Sequence, residues 1–387
     1  MPYLRLACLL FVAASGFAAA PAKKNMSHLE RLARNDQSGT AWFVRVPDGP
    51  LVFTAQVAAK ELQGDARAQA DGALQALAGV LGGVGSDLTR VVRLNAYVAD
   101  DDAVAAVDAA VAARFATSPV AFTLSRSPLT VRGARVMFEA VATTARAPTS
   151  PEVSAQAAVL PAGGKIFISG QVERGTDLAT GSTATMAGLY RSLGYVGLAK
   201  SDVVQVKVFF RPSADPAPVL QAVAASFGGG PVPPIILQEW ISDTWVEIEL
   251  VASARTLPAK AGETIAHSWL PWLTASPRYC NVAHVFPGTP LIFIGEVSGG
   301  DGGEPRAQMK SIFERLGSIL FEAGSSFRHL AKATYYVKDA TSRTLLNDIR
   351  AVYYDPTRPP AASALAVGSF GRPGRSASLD MIAVPAP

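Results

Sequence analysis

One strand type occurs three times in this chain. Leu51-Val52-Phe53-Thr54-Ala55-Gln56-Val57, Lys165-Ile166-Phe167-Ile168-Ser169-Gly170-Gln171-Val172 and Leu291-Ile292-Phe293-Ile294-Gly295-Glu296-Val297 each run apolar and then close near a Gln or Glu. The middle copy alternates like a half-buried strand, and its Ser-Gly-Gln end lets other groups approach closely. A strand that recurs at domain-sized intervals implies three copies of one domain.

The flanking patterns recur in the same order. In the first copy, expected at residues 39–147, Ala41 to Val46, the turn Pro47-Asp48-Gly49-Pro50 and Leu51 to Val57 read as strand, turn and strand. Ala70, Ala73, Leu74, Leu77, Val80 and Leu81 fall at helical spacing, and Gly82-Gly83 is the expected stop. Val91 to Val98 alternates as a strand, Val104, Val107, Val111 and Phe115 mark a second helix, and Val120 to Leu124 and Arg135 to Thr143 close the unit. The plan restarts at residues 152–256 after the linker Ala147-Pro148-Thr149-Ser150-Pro151, and again at residues 278–387. Between the last two copies, residues 257–277 form a linker whose Trp269 and Trp272 are expected to pack on a neighbouring domain. Upstream, Lys23 to Ser38 reads as a polar lead-in with a short helix at Ser27 to Leu32.

Composition and the remaining motifs bound the class, partners and chemistry further. With 387 residues, 49% hydrophobic and 17% charged, the chain is globular and long enough to bury real cores. A net charge of +4, with the basic residues scattered, argues against a nucleic-acid partner. Residues 1–20 read as a signal peptide, Arg5 before the apolar run Leu6 to Val12 and small residues to Ala20, so export to the periplasm or medium is expected, with no membrane span after cleavage. Cys8 lies in that segment and leaves Cys280 alone, so stability must come from packing and not from a disulfide. His28, His267, His284 and His329 are dispersed, and no nucleophile elbow, Cys-x-x-Cys pair or phosphate loop is present; neither metal nor cofactor is expected.

These residues resemble the RidA/YjgF (Rid) family. The resemblance is carried by Ile168-Ser169-Gly170-Gln171, by Asp87 with Val91 to Asp100, by Ala323-Gly324 with Leu330 to Asp339, by Tyr354 to Ala361, and by Val246-Glu247-Ile248-Glu249. It implies three α+β, chorismate-mutase-like domains, each a mixed sheet covered by two helices, assembled within one chain as an intramolecular pseudo-trimer with clefts between repeats. The chain is accordingly expected to be a monomer that binds a small molecule at those clefts.

The same resemblance implies 2-iminobutanoate/2-iminopropanoate deaminase chemistry, hydrolysis of a C–N bond centred on the arginine of a Pro-Ala-Arg segment whose guanidinium grips a carboxylate. The matching triplets here are Pro119-Val120-Ala121, Pro231-Val232-Pro233 and Pro360-Ala361-Ala362, and none contains arginine. Ligand binding without that deaminase activity is the first expectation. A hydrolase using Glu247 or a displaced arginine, Arg126, Arg358 or Arg372, is the alternative. Ser169, Gln171, Gln56, Glu249, Tyr279 and Glu296 match the family's substrate-binding positions, with Gln56 and Glu296 read as equivalents of Gln171. Glu139, Glu249 and Asp380 share the second acidic position of the last strand.

Overall fold

Each repeat folds as strand, strand, helix, strand, helix, strand, strand. The computed structural model describes residues 29–35, 37–212, 215–254, 257–258, 262–300 and 302–387, so the leader, His28 and part of the second linker lie outside the described residues. The first unit contains β1 (Glu30–Ala33), β2 (Thr40–Val46), β3 (Leu51–Thr54), β4 (Val57–Ala58), α1 (Ala66–Gly83), β5 (Val91–Val98), α2 (Asp101–Phe115), β6 (Val120–Arg126) and β7 (Val136–Thr143). The second contains β8 (Glu152–Val153), β9 (Ala157–Leu160), β10 (Lys165–Gln171), α3 (Leu178–Tyr195), β11 (Val203–Phe210), α4 (Ala217–Ser226), β12 (Ile235–Glu239) and β13 (Val246–Ser253). The third, preceded by β14 (Ile265–Ser268), contains β15 (Val282–Val285), β16 (Leu291–Ser298), α5 (Pro305–Glu322), β17 (Leu330–Val337), α6 (Ala340–Tyr353), β18 (Ala361–Ala366) and β19 (Ala377–Ala383).

Local chemistry sets these boundaries. Asp65, Asp100, Asp177 and Asp339 each cap a helix by accepting from a first-turn backbone N–H, and Asp177 with Thr180 forms a reciprocal capping box. The first helix runs through Gly82-Gly83, which exert no stop. Gly85 (φ 72°), like Gly197 (77°) and Gly324 (64°) in the same place of the other units, takes the left-handed turn that ends it. Glu30 to Ala33 is a strand paired with β2, where the sequence led us to expect a helix; tertiary pairing overrides a weak local preference there. Likewise the second linker supplies β14, which pairs with β15 and extends its sheet.

Within their units, β2 and β3, β9 and β10, and β15 and β16 do not pair with each other. Instead β9 pairs with β3, β15 with β10, and β2 with β16, all antiparallel, so each unit lends its first strand to the unit before it and the third closes back on the first. Within a unit the remaining order is constant: β6-β5-β7-β3, β12-β11-β13-β10 and β18-β17-β19-β16. This cyclic exchange satisfies backbone groups that open strand edges would expose. The result is the expected chorismate-mutase-like α+β architecture, with the helices outside and the sheets facing a common axis.

Each helix pair buries its apolar face on its own sheet, as Leu74, Leu77, Val107 and Val111 do against Leu94 and Phe138. A second apolar layer draws on all three units, with Val92, Val204 and Ala331 meeting Phe53, Phe167 and Phe293. Beside it the inward positions turn polar, and all are buried: Arg93 and Asn95, Gln205 and Lys207, Lys332 and Thr334. Arg93 donates to Asp380 at 2.5 Å and Lys332 to Glu249 at 2.6 Å, each bond crossing a unit boundary.

Candidate functional site

Strand register, not word similarity, aligns the three units. Ile168 pairs with Leu250 and Gln171 with Ile248, while Ile294 pairs with Met381 and Val297 with Leu379; the first unit aligns through Phe53 with Val141 and Val57 with Phe138. Gln171 is therefore equivalent to Val57 and Val297, and Gln56 and Glu296 occupy the place of Gly170. The sequence equivalence was one residue out. In a strand, a one-residue slip moves a side chain to the other face, so these residues cannot share a role.

Each of the displaced candidates has a structural partner. Gln56 donates from Nε2 to the Leu237 carbonyl (3.0 Å) and accepts the Leu237 N–H at Oε1 (3.1 Å), which clasps the first unit to the second. Glu296 accepts from Arg375 at 2.7 Å, and the Arg34 side chain donates to its carbonyl. Ser169 donates to the Cys280 carbonyl (2.5 Å) and accepts from the Ala362 N–H (2.7 Å), which staples two strands of the third unit to the second. In the third unit Gly295 occupies that position, where a Cβ would lie 2.8 Å from Phe122 N and 3.0 Å from Ala41 O. Glu249 faces the axis, held by Lys332 and by the Ser363 hydroxyl (2.8 Å). Among the second acids, Glu139 accepts from Asn95 (2.8 Å) and Tyr97 (2.9 Å), and Asp380 from Arg93 and Tyr336. These carboxylates are interior ion-pair and hydrogen-bond partners.

Three other sequence candidates do meet, in a cleft of about 350 Å³ between the second and third units. Gln171, Glu247 and Tyr279 line it together with Asn281, Ser363 and, from α6, Arg343 and Arg350. The second linker supplies Leu273 and Thr274 as part of the wall. Its indoles fix that wall: Trp269 donates to the Ser276 and Tyr279 carbonyls, and Trp272 packs edge-on to Tyr195 beneath the Arg191 guanidinium. Asn281 accepts the Leu270 N–H at 2.9 Å and so ties the linker to β15.

Small residues open this cleft. Parallel pairing of β17 with β18 and of β5 with β6 makes Ala362, Ser363 and Ala364 equivalent to Phe122, Thr123 and Leu124, and β11 with β12 adds Ile235, Ile236 and Leu237. The same register places Ala362, Phe122 and Ile235 where the resemblance expects arginine, one or two residues along from the matching made on sequence in the first two units. The displaced arginines named from sequence lie elsewhere: Arg126 pairs with Asp101, Arg372 with Asp108, and Arg358 donates to the Ile265 carbonyl. The guanidinium groups that reach the cleft, Arg343 and Arg350, come from a helix face. Their signal was present in the sequence as two arginines seven apart beside Leu346 and Ile349, yet only the packing of α6 shows which face borders a cavity.

The electrostatics centre on Glu247. Burial lifts its carboxyl from 4.5 to about 7; the Ser363 hydroxyl opposes that rise, the Glu249 carboxylate adds to it, and Arg343 and Lys332 pull it down. Near neutral pH the group both holds and releases a proton. Its room comes from Gly170, because any Cβ there would overlap the Glu247 carboxyl. Two polar atoms at the cleft have no partner: Oε1 of Gln171, whose Nε2 donates to Ser192, and Nε of Arg350. Both residues are about nineteen-twentieths buried, at 5% exposure each. Arg350 is fixed by donation to Asn347 (2.7 Å) and by stacking on Tyr335 at 5.1 Å.

Cys280 is fully buried behind the Ser169 staple, and burial pushes its thiol well up, so it is no nucleophile. No group of three or more metal-ligating side chains occurs among the described residues, and no helix among them is long and apolar enough to cross a membrane.

Comparison with known proteins falls on the same units. The Endoribonuclease L-PSP family matches residues 41–144 and 294–384, the first and third units, leaving the second unmatched although it carries the Ser-Gly-Gln word. A RutC family protein of Synechocystis is 32% identical over 65 residues, which is 17% of this chain and 50% of the relative, so the chain spans about half the length of that relative. A YjgF-family protein of Neisseria meningitidis aligns at 20% identity over 31% of this chain and 94% of its own, with a TM-score of 0.24. A YjgF-family protein of Mycobacterium tuberculosis aligns at 19% identity over 26% and 86%, with a TM-score of 0.23.

Proposed function

We propose, from the premise that this chain belongs to the Endoribonuclease L-PSP family, that it binds a small imino acid between its second and third units and hydrolyses the C=N bond there. The observation that carries this reading is the Glu247 carboxyl, held near pH 7 in a cleft that also receives two guanidinium groups. A cavity of about 350 Å³ suits a small ligand with a few convergent polar groups.

The chemistry follows from those groups. Arg350 grips the carboxylate of R–C(=NH)–COO⁻, which fixes the imine carbon. Ionised Glu247 takes a proton from a water as its oxygen adds to that carbon, and the proton passes to nitrogen. As the C–N bond breaks, Glu247 passes the proton of the new hydroxyl to the departing nitrogen, giving R–CO–COO⁻ and ammonia; one water is consumed and no oxidation state changes. Gln171 Oε1 offers an acceptor to the imine N–H. The expected arginine position holds Ala362 in this cleft, and in this reading a helix-borne guanidinium takes over its work.

The test is 2-iminopropanoate or 2-iminobutanoate generated in situ, with keto-acid release followed. Acceleration over buffer that disappears in Glu247→Gln and falls at least about tenfold in Arg350→Gln, the cost of a charge-assisted contact, supports the reading. No acceleration over buffer overturns catalysis and leaves ligand binding as the function of the cleft.

We also propose that the chain works as an exported monomer, because the three units occupy one another's open strands and residues 1–20 have the pattern of a signal peptide. Light scattering on the processed chain is expected to return the mass of one chain. A stable trimer of chains, or an unprocessed cytoplasmic product, would overturn this part.

A further inference from the structure

Seven residues separate Arg343 from Arg350, so both lie on one face of α6, about 10 Å apart along its axis at 1.5 Å per residue. Asn347, one turn from each, points the same way and holds Arg350. The corresponding fourth and eleventh positions of the other second helices are Val104 and Val111 in α2, and Leu220 and Phe227 at α4. Those helices use the two positions for core packing. Only α6 puts cations there, and it faces the open cleft.

Two guanidinium groups exceed what one carboxylate needs. Arg350 sits deep, at 5% exposure, with Nε unpartnered; Arg343 stands exposed at the mouth and makes no hydrogen bond or ion pair among the described residues. The nearby acids do not absorb this charge. Lys332 and Ser363 hold Glu249, Glu247 lines the same cleft but makes no hydrogen bond or ion pair with Arg343, and Glu173 at the rim lies against Gly188 of α3. A ligand with one carboxylate would occupy Arg350 and leave Arg343 to solvent.

We propose that the ligand of this cleft is a small dicarboxylate, its first carboxylate on Arg350 and its second on Arg343. The inference rests on the assignment of the cleft as a ligand site; joined to the proposed chemistry, it names as substrate the imine of an acidic amino acid, such as 2-iminoglutarate. The second contact sits at the mouth, so chain length between the two carboxylates sets the fit and Arg343 is the specificity-determining residue.

The experiment is calorimetric titration of the full chain with glutarate and with pentanoate, which have the same carbon count and differ by one carboxylate. Glutarate is expected to bind at least about tenfold more tightly, the worth of one further charge-assisted contact. In Arg343→Gln that ratio should fall to near one, and in Arg343→Lys it should be partly restored. Equal affinities in the unaltered chain, or a preference that survives Arg343→Gln, overturns the inference. The outcomes separate from the catalytic test. Glutarate preference without imine hydrolysis keeps the dicarboxylate site and removes the hydrolase, whereas hydrolysis of 2-iminopropanoate without glutarate preference does the reverse.

Discussion

Gly170 and Glu247 occupy one space: the carboxyl of Glu247 lies where a Cβ on residue 170 would be. Gly170 has no left-handed backbone torsion, so alanine is permitted there by the backbone and the conflict is purely steric. Gly170→Ala is expected to displace the carboxyl and to lower kcat/KM at least about tenfold, since angstrom-scale misplacement of a reacting group is that costly. A double-mutant cycle checks the cause. In a Glu247→Ala background the stability cost of Gly170→Ala should vanish, leaving a coupling of about 1 kcal/mol or more.

Glu247 also makes stability depend on pH. Its folded value, about 7, lies above the 4.5 of an ordinary glutamate, so between these values the folded chain binds more protons than the unfolded one. Stability from this group is therefore intact below about pH 4.5 and is lost as pH rises through 7, by an amount on the order of 3 kcal/mol. Glu247→Gln removes the ionisation. Urea unfolding should show the variant gaining on the unaltered chain between pH 5 and pH 8, and a difference that does not change with pH would contradict the buried, proton-holding carboxyl.

The clasp of Gln56 on Leu237 joins the first unit to the second, and its expected role is structural. Gln56→Ala leaves a backbone N–H and C=O without their partners at 3.1 and 3.0 Å, and about 1–3 kcal/mol of stability should be lost. Glutarate affinity, read at the other boundary, should not change. A change in affinity with no loss of stability would return Gln56 to the list of ligand-binding residues.

The axial ion pair of Arg93 with Asp380 is nearly closed to solvent, with side-chain exposures of 8% and 1%. Removing one partner strands a buried charge, so Arg93→Met is expected to cost about 3–5 kcal/mol in urea unfolding. Arg93→Met combined with Asp380→Leu should recover most of that loss, because the pair can be replaced by apolar packing. Failure of the double variant to recover would place the value of the pair in the wider network with Tyr336 and Glu139.

Much of the fold was legible in the sequence because its signals are local and repeated. Helical spacing at Leu74 and Leu77, caps at Asp65 and Asp177, and alternation through Val203 to Phe210 each report on a few neighbouring residues. The family resemblance, the α+β class and the order of elements followed from these. The site was legible only in part. Gln171, Glu247 and Tyr279 do line the cleft, whereas Ser169, Gln56, Glu249 and Glu296 share the residue types of a binding site and spend them on staples, clasps and ion pairs. Residue type states what a side chain can do, and its partners decide what it does.

The sequence by itself determined the repeated unit, its helices and strands, and the loss of arginine from the expected triplets. Periodicity and capping are written in short windows of the chain, so no tertiary information is needed to read them. Tertiary structure alone decided that each unit lends its first strand to its neighbour, that Gly170 makes room for Glu247, and that Arg343 and Arg350 of α6 border the cleft lined by Gln171 and Glu247. Those relations join residues far apart in sequence, and their register is set by strand pairing across unit boundaries, where one residue of slip exchanges a cleft-facing side chain for a buried one.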